Sequence, residues 1–243
     1  MTDPHISSVG ASASALRVTL AVACNILAME GHTDISLGHA SAREPGAQDY
    51  WVKAAGFGLE EVTPDDMILV DLAGNRRAGD RPAHRELPIH AEIYRRRPDV
   101  NAVVHTHPPH ATALAATREP LRPVTHEGVL FPALPRFTQT TDLIITRDQG
   151  QALAESLGPH NAVLLKNHGV VTVGGSIEEA TLLGIFLEKA AMMQYLAASF
   201  GPFEWTDPQE AAEKRERIYH PRAMQNFWEY YRRKLERENR TAL

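Results

Sequence analysis

Three histidines crowd one short stretch of this chain, the run VVHTHPPH at residues 103–110. In an extended strand, side chains two apart share a face. His105 and His107 therefore present two imidazoles side by side at the end of an apolar run, an arrangement that suits one first-row divalent metal. A third imidazole comes from His168 in LLKNHGVV, which also ends an apolar run and precedes a glycine. Glycine there admits a sharp turn and the close approach of other groups. Three histidines leave positions open for water or a reactant, as expected of a catalytic rather than a structural metal. The H-x-H pair alone is a modest signal, because packing and surface histidines often produce it; the second site at His168-Gly169 strengthens it. His5 and His220 read as surface residues and His160 as a turn residue. His110 reads as an outward-facing residue at a helix start, with a spare-ligand role as the alternative. Glu86 stands four residues before His90. A glutamate near a metal can act as general acid and base; the plainer reading is a helix-start carboxylate favoured by the dipole.

The elements that must position these residues follow from pattern and punctuation. SALRVTLAVACNILAMEG (14–31) reads as a helix stopped near Gly31. The next segment, HTDISLGHASAREPG, reads as short, polar and glycine-punctuated. YWVKAAGFG reads as a strand running into a glycine loop, and Met67–Leu72 as a strand closed by the turn Ala73-Gly74-Asn75. In RELPIHAEIYRRRPDV, Pro88 suits a first helical turn and Pro98 ends the helix. NAVVHTH reads as a strand, PPHATALAAT as the start of a helix, and NAVLLKNHGVVTVG as a hairpin broken at Asn167-His168-Gly169. A long helix over Ile177–Ser199 starts on Ser176 and Glu179, in the spacing of a capping box. The charged C-terminal stretch reads as helical with a break at Pro221. Residues 1–10 read as a flexible arm and 11–243 as a single domain, with 203–243 a helical extension. No glycine-rich dinucleotide fingerprint follows a strand. The implied class is α/β, a central mainly antiparallel or mixed sheet covered by helices.

Composition narrows the function classes. The 243 residues carry a net charge of −5 with mixed signs, which argues against nucleic acid as a partner. One cysteine, Cys24, excludes an internal disulfide framework and sits in an apolar run, where a buried structural thiol is expected. The opening MTDPHISSVG lacks a basic start followed by an apolar core, and no apolar stretch reaches membrane-spanning length. A cytoplasmic protein with no membrane partner is the expectation.

Two segments, ELPIHAEIYRRRPDVNAVVHTHPPH and LLKNHGVVTVGGSIEEA, together resemble the class II aldolase/adducin family, over roughly residues 12–200. The loop GHTDISLGHASAR and the strand VTPDDMILVDLAGN add to the likeness. The resemblance implies a three-layer α/β/α fold with a mainly antiparallel sheet. It implies one divalent metal per subunit (Zn, Mn, Co or Fe) on His105, His107 and His168. Glu86 would be the acid/base and, in some states, a further ligand. It also implies a homotetramer with active sites at subunit interfaces. The family's sugar-phosphate aldolases hold phosphate with an asparagine, a Thr-Gly pair and a Ser-Ser pair. At the matching positions this chain has His39, Ala55-Gly56 and His84-Arg85. The hydroxyls are gone and only Gly56 is kept.

That exchange shifts the expected substrate from a sugar phosphate to a carboxylate, which arginine can grip in bidentate fashion. Arg85, His84, His39, Gly56 and Arg43 are the candidate substrate contacts; a structural ion pair is the alternative for Arg43. Other members are decarboxylases of hydroxylated aromatic or heteroaromatic acids, and TPDDMILVDLAGN and ELPIH resemble these more. The expected function is a metal-dependent C–C lyase, foremost a decarboxylase of a small hydroxylated aromatic carboxylate with an enolate-like intermediate, in which Glu86 or His84 moves the proton. Aldol cleavage of a non-phosphorylated or acidic substrate is the alternative, and an Fe(II)-dependent oxygenase a further one.

Overall fold

A computed structural model describes residues 4–241, with side chains from 13 to 238. Eight strands form one sheet: β1 (His39–Ala42), β2 (Asp49–Lys53), β3 (Met67–Asp71), β4 (Arg76–Ala78), β5 (Ala102–Thr106), β6 (Arg136–Phe137), β7 (Ala162–Leu165) and β8 (Gly169–Gly174). Their order across the sheet is β4-β3-β2-β1-β5-β8-β7-β6. Every neighbouring pair is antiparallel except β6 with β7. Among the described residues seven α-helices cover it: α1 (Pro4–Met29), α2 (Leu87–Arg96), α3 (Pro109–Ala115), α4 (Arg147–Leu157), α5 (Ile177–Phe200), α6 (Pro208–Ile218) and α7 (Pro221–Thr241). The expected α/β/α layering with a mainly antiparallel sheet is what forms.

The central strands are apolar on both sides, so the sheet has a core on each face. One core joins α1, α3 and α5 to residues such as Ala40, Val104 and Val170. The other joins α2 and α4 to Val52, Val103 and Val171. Alternation along β5 makes the division: Val104 goes to one face, Val103 to the other. Cys24 is fully buried in the first core, as expected, and burial pushes its thiol up to about 12. The helix α7 is tied on by Glu30, which takes Lys234 Nζ at 2.6 Å and Lys189 Nζ at 3.4 Å. Among the described residues no helix is long and apolar enough to cross a membrane.

Three local readings need correction. Residues 1–3 of the expected arm lie outside the described residues, and from Pro4 onward the chain is already α1. The segment read as a polar, glycine-punctuated stretch contains β1, a strand buried at all four positions. The Glu179 carboxylate accepts from Gly175 N rather than from Ser176, so Ser176 caps α5 but the reciprocal half of the box is displaced by one residue.

Candidate metal and acid/base site

The ends of central strands meet at one side of the sheet. His39 opens β1 and pairs in register with His105 of β5. Facing residues on neighbouring strands share a side of the sheet, so both imidazoles project together, with ring centroids 4.9 Å apart. His107 lies just past β5, and His168 in the turn between β7 and β8. That turn is made by Asn167, at φ 53°, a left-handed geometry that asparagine tolerates. Gly169 has a different job. A Cβ there would stand 2.6 Å from the Thr106 carbonyl and run into the His107 ring. The His-Gly step is therefore read correctly as a close approach, while the sharp turn belongs to the asparagine before it.

Glu86 is the residue at the N-terminal edge of α2, and Pro88 occupies the first turn. Its Oε1 accepts from Ile144 N at 2.9 Å and lies 3.7 Å from His168 Nε2. Its Oε2 lies 3.7 Å from His39 Nε2 and 3.8 Å from His105 Nε2. The carboxylate thus sits among three imidazoles. It is 7 % exposed, and burial raises its pKa above the usual carboxylate value.

The donor set fits a divalent metal. His105 Nε2 and His107 Nε2 are 3.2 Å apart, close to the spacing of about 3.3 Å that two nitrogens take on one tetrahedral ion with bonds of about 2.0–2.1 Å. One nitrogen from each of His105, His107 and His168 lies within 4.8 Å of the others, and His39, Glu86 and His105 form a second such group. Metal ligation requires neutral imidazole. Burial lowers the pKa of His105 and His107, and pushes His168 down to about 4.

Behind His39 runs a hydrogen-bonded chain that the sequence did not reveal. His39 Nδ1 meets His90 Nε2 at 2.7 Å, His90 Nδ1 meets Ser41 Oγ at 2.6 Å, and Ser41 Oγ meets Tyr94 OH at 2.7 Å. All four are buried, which fixes the His39 ring and leaves its Nε2 without a hydrogen-bond partner beside Glu86. The E-x-x-x-H spacing points to His90. Ser41 and Tyr94 carry no signal without knowledge of β1.

The expected substrate contacts divide. His84 packs on His39, with centroids 4.5 Å apart, and burial pushes it down to about 4. Lys53 Nζ lies 3.3 Å from His84 Nε2 and 3.2 Å from the Ala54 carbonyl. Lys53 is fully buried and is joined to no carboxylate by an ion pair among the described residues. Arg85 is exposed beside Glu86. Gly56 is exposed in the loop after β2, at φ 88°, with open space where a Cβ would stand. Arg43 is not at the site. Its guanidinium donates to the carbonyls of Val100, Tyr94, Arg97 and Ala47, and stacks on the Tyr94 ring at 4.4 Å. It follows the far end of β1, roughly 13 Å from His39 at about 3.3 Å per residue. His110 is no ligand of this cluster either; its Nδ1 is held by Glu188 Oε1 at 2.6 Å.

The α/β/α domain thus gathers three histidines and a glutamate at the ends of its central strands. Residues 18–195 match the family model described as Class II Aldolase and Adducin N-terminal domain, and the chain belongs to that family. It is 34% identical to a 3,4-dihydroxyphthalate decarboxylase of Arthrobacter keyseri over 202 residues, 76% of this chain and 79% of that one. It is 35% identical over 165 residues to a 4-hydroxy-3-prenylphenylpyruvate oxygenase/4-hydroxy-3-prenylbenzoate synthase of Streptomyces roseochromogenus subsp. oscitans; the match takes in 65% of this chain and 58% of that relative's length. The L-fuculose 1-phosphate aldolase from Glaciozyma antarctica PI12 superposes with a TM-score of 0.84 at 28% identity, over 97% of this chain and 94% of that one.

Proposed function

We propose that this protein is a divalent-metal-dependent decarboxylase of a small hydroxylated aromatic or heteroaromatic carboxylate. The observation that carries the reading is a complete histidine–glutamate set with Lys53 and His84 beside it, where the family's hydroxyl donors for phosphate are missing. The similarity to a dihydroxyphthalate decarboxylase supports it.

His105, His107 and His168 hold the ion. When bound, it supplies Lewis acidity to an oxygen next to the breaking carbon–carbon bond. Glu86 acts as the acid. Its carboxyl proton passes to the ring carbon as that carbon regains the bonding electrons, and CO2 leaves. Burial raises the Glu86 pKa above that of an exposed glutamate, the direction a proton donor needs. His39 faces the Glu86 carboxyl and steadies it. His84, backed by the Lys53 ammonium, and Arg85 at the surface receive the substrate carboxylate. The working form is a cytoplasmic homotetramer with sites between subunits. Exposed apolar side chains such as Phe200 and Tyr195, 92 % and 63 % exposed, favour association.

Incubation with hydroxyphthalate-type acids and with sugar phosphates, following CO2 and aldehyde, tests the reading. Release of CO2 from the aromatic acids supports it; turnover of sugar phosphates alone contradicts it. Aldehyde release from an unphosphorylated substrate would mark aldol cleavage instead. The oxygenase reading draws on the relative named for that activity. Oxygen uptake with Fe(II) would favour it, and undiminished turnover without oxygen would exclude it.

A further inference from the structure

The metal-side histidines are steadied from behind in two different ways. His105 Nδ1 lies 3.0 Å from the Val170 carbonyl, inside the β5–β8 ladder. His107 Nδ1 lies 3.0 Å from Asp34 Oδ2. Asp34 belongs to the connection between α1 and β1, which is fastened to the end of β5 on both sides. Before Asp34, the buried His32 places Nδ1 2.9 Å from Thr106 Oγ1. After it, Gly38 packs so closely that a Cβ there would meet Leu59 Cδ1 at 3.1 Å and Thr106 Cγ2 at 3.4 Å.

Between these fastenings the backbone is strained. Leu37 N closes a turn on the Asp34 carbonyl at 2.9 Å, and Ile35 within it has φ 51°. A β-branched residue rarely takes that conformation, and such strain persists only where the surroundings impose it. The Ile35 side chain is 84 % exposed, so its own packing does not impose it. The contacts to β5 flank it on either side.

We propose that Asp34 is a positioning residue for the metal centre. It sets the His107 ring with Nδ1 outward and Nε2 toward His105, and the left-handed turn at Ile35 delivers it. This rests on the reading of His105, His107 and His168 as metal ligands. A carboxylate on the far nitrogen of a ligating histidine fixes tautomer and orientation and makes the ligand more basic. The Asp34 oxygen stands off the line of a straight hydrogen bond to His107, so its charge contributes as well as its acceptor oxygen. The Val170 carbonyl is locked in the sheet, whereas the Asp34 side chain is 39 % exposed. Metal retention thereby depends on one solvent-facing side chain.

Zinc titrations of the metal-free full-length protein against a chromophoric chelator test this, alongside thermal unfolding with and without zinc. Asp34→Ala is expected to weaken zinc binding about tenfold to a hundredfold, with Asp34→Asn in between because it keeps an oxygen but loses the charge. The metal-free unfolding temperature of Asp34→Asn is expected to match the parent, and the zinc-induced rise to shrink. Zinc affinity within twofold of the parent in both variants overturns the proposal. So does an equal loss of stability with and without zinc, which marks a structural role. If the parent itself binds no zinc or other divalent ion, the ligand reading fails first and this inference with it.

Discussion

Glu86 and His107 do different jobs in the proposed centre, and substitution should separate them. His107→Ala is expected to lose tightly held metal and turnover together, measured by metal analysis and CO2 release. Glu86→Gln should keep its metal and lose roughly a hundredfold or more in rate, the usual contribution of a positioned acid. Full rate in Glu86→Gln would remove Glu86 from the chemistry. Gly169→Ala forces a methyl against the His107 ring and the Thr106 carbonyl. It should depress metal affinity while the fold, followed by circular dichroism, survives. The metal-type residues are legible in the sequence because H-x-H and His-Gly each follow an apolar strand, and that pattern carries geometry. Arg43 misleads because a buried arginine serving backbone carbonyls has the same one-letter signature as a substrate clamp.

At the scale of elements, the site depends on how α2 is held. A Cβ on Gly150 of α4 would lie 2.5 Å from the Pro88 carbonyl in the first turn of α2. Gly150→Ala should therefore destabilise the protein by about 1–3 kcal/mol, as overpacking does. It should also slow turnover, because the pushed turn carries Glu86; denaturant melts and rate measurements check the two effects. Arg43→Ala should cost about 3 kcal/mol by leaving buried carbonyls unpaired, with substrate affinity of the remaining folded protein unchanged. Helices with clear start signals and apolar faces, α2 and α5, are visible in the sequence. Strands β1, β4 and β6 and helix α4 are not. Strand β1 is only four residues long and buried on both faces, so it shows neither alternation nor length. Helix α4 holds a glycine in its interior, yet its start carries a usable sign: Thr146 accepts from Gln149 N in a capping box.

For the whole molecule, the pKa pattern sets a pH window. His32 and His90 are pushed down to about 3, and His84 and His168 to about 4, in each case chiefly by burial. The unfolded chain takes up those protons near the ordinary value of 6.5 and the folded one does not. Stability from these groups is complete above that value and is lost as pH falls below it, down to the lowered folded values. Glu86 works the other way: its raised folded pKa means that metal-free protein loses some stability as pH rises from the ordinary glutamate value of 4.5 through the raised folded one. With several histidines against one glutamate, the acid side wins. The melting temperature should fall from about pH 7 to about pH 5, and a flat profile over that range would contradict the buried-neutral assignment. Removing metal with a chelator should lower the melting temperature near pH 7 as well, by an amount that grows with the free ion concentration that had stabilised it.

The lone buried thiol supplies a clock for these measurements. Cys24 is the chain's single cysteine, and its burial on the inner face of α1 keeps it protonated and out of reach. A thiol reagent can label it only while the core is open, and the labelling rate then counts opening events under native conditions. Every occupant of the histidine cluster that favours the closed form will lengthen the labelling time. Candidate ions and candidate acids can thus be ranked by the protection they confer on one sulfur atom, before any turnover has been detected.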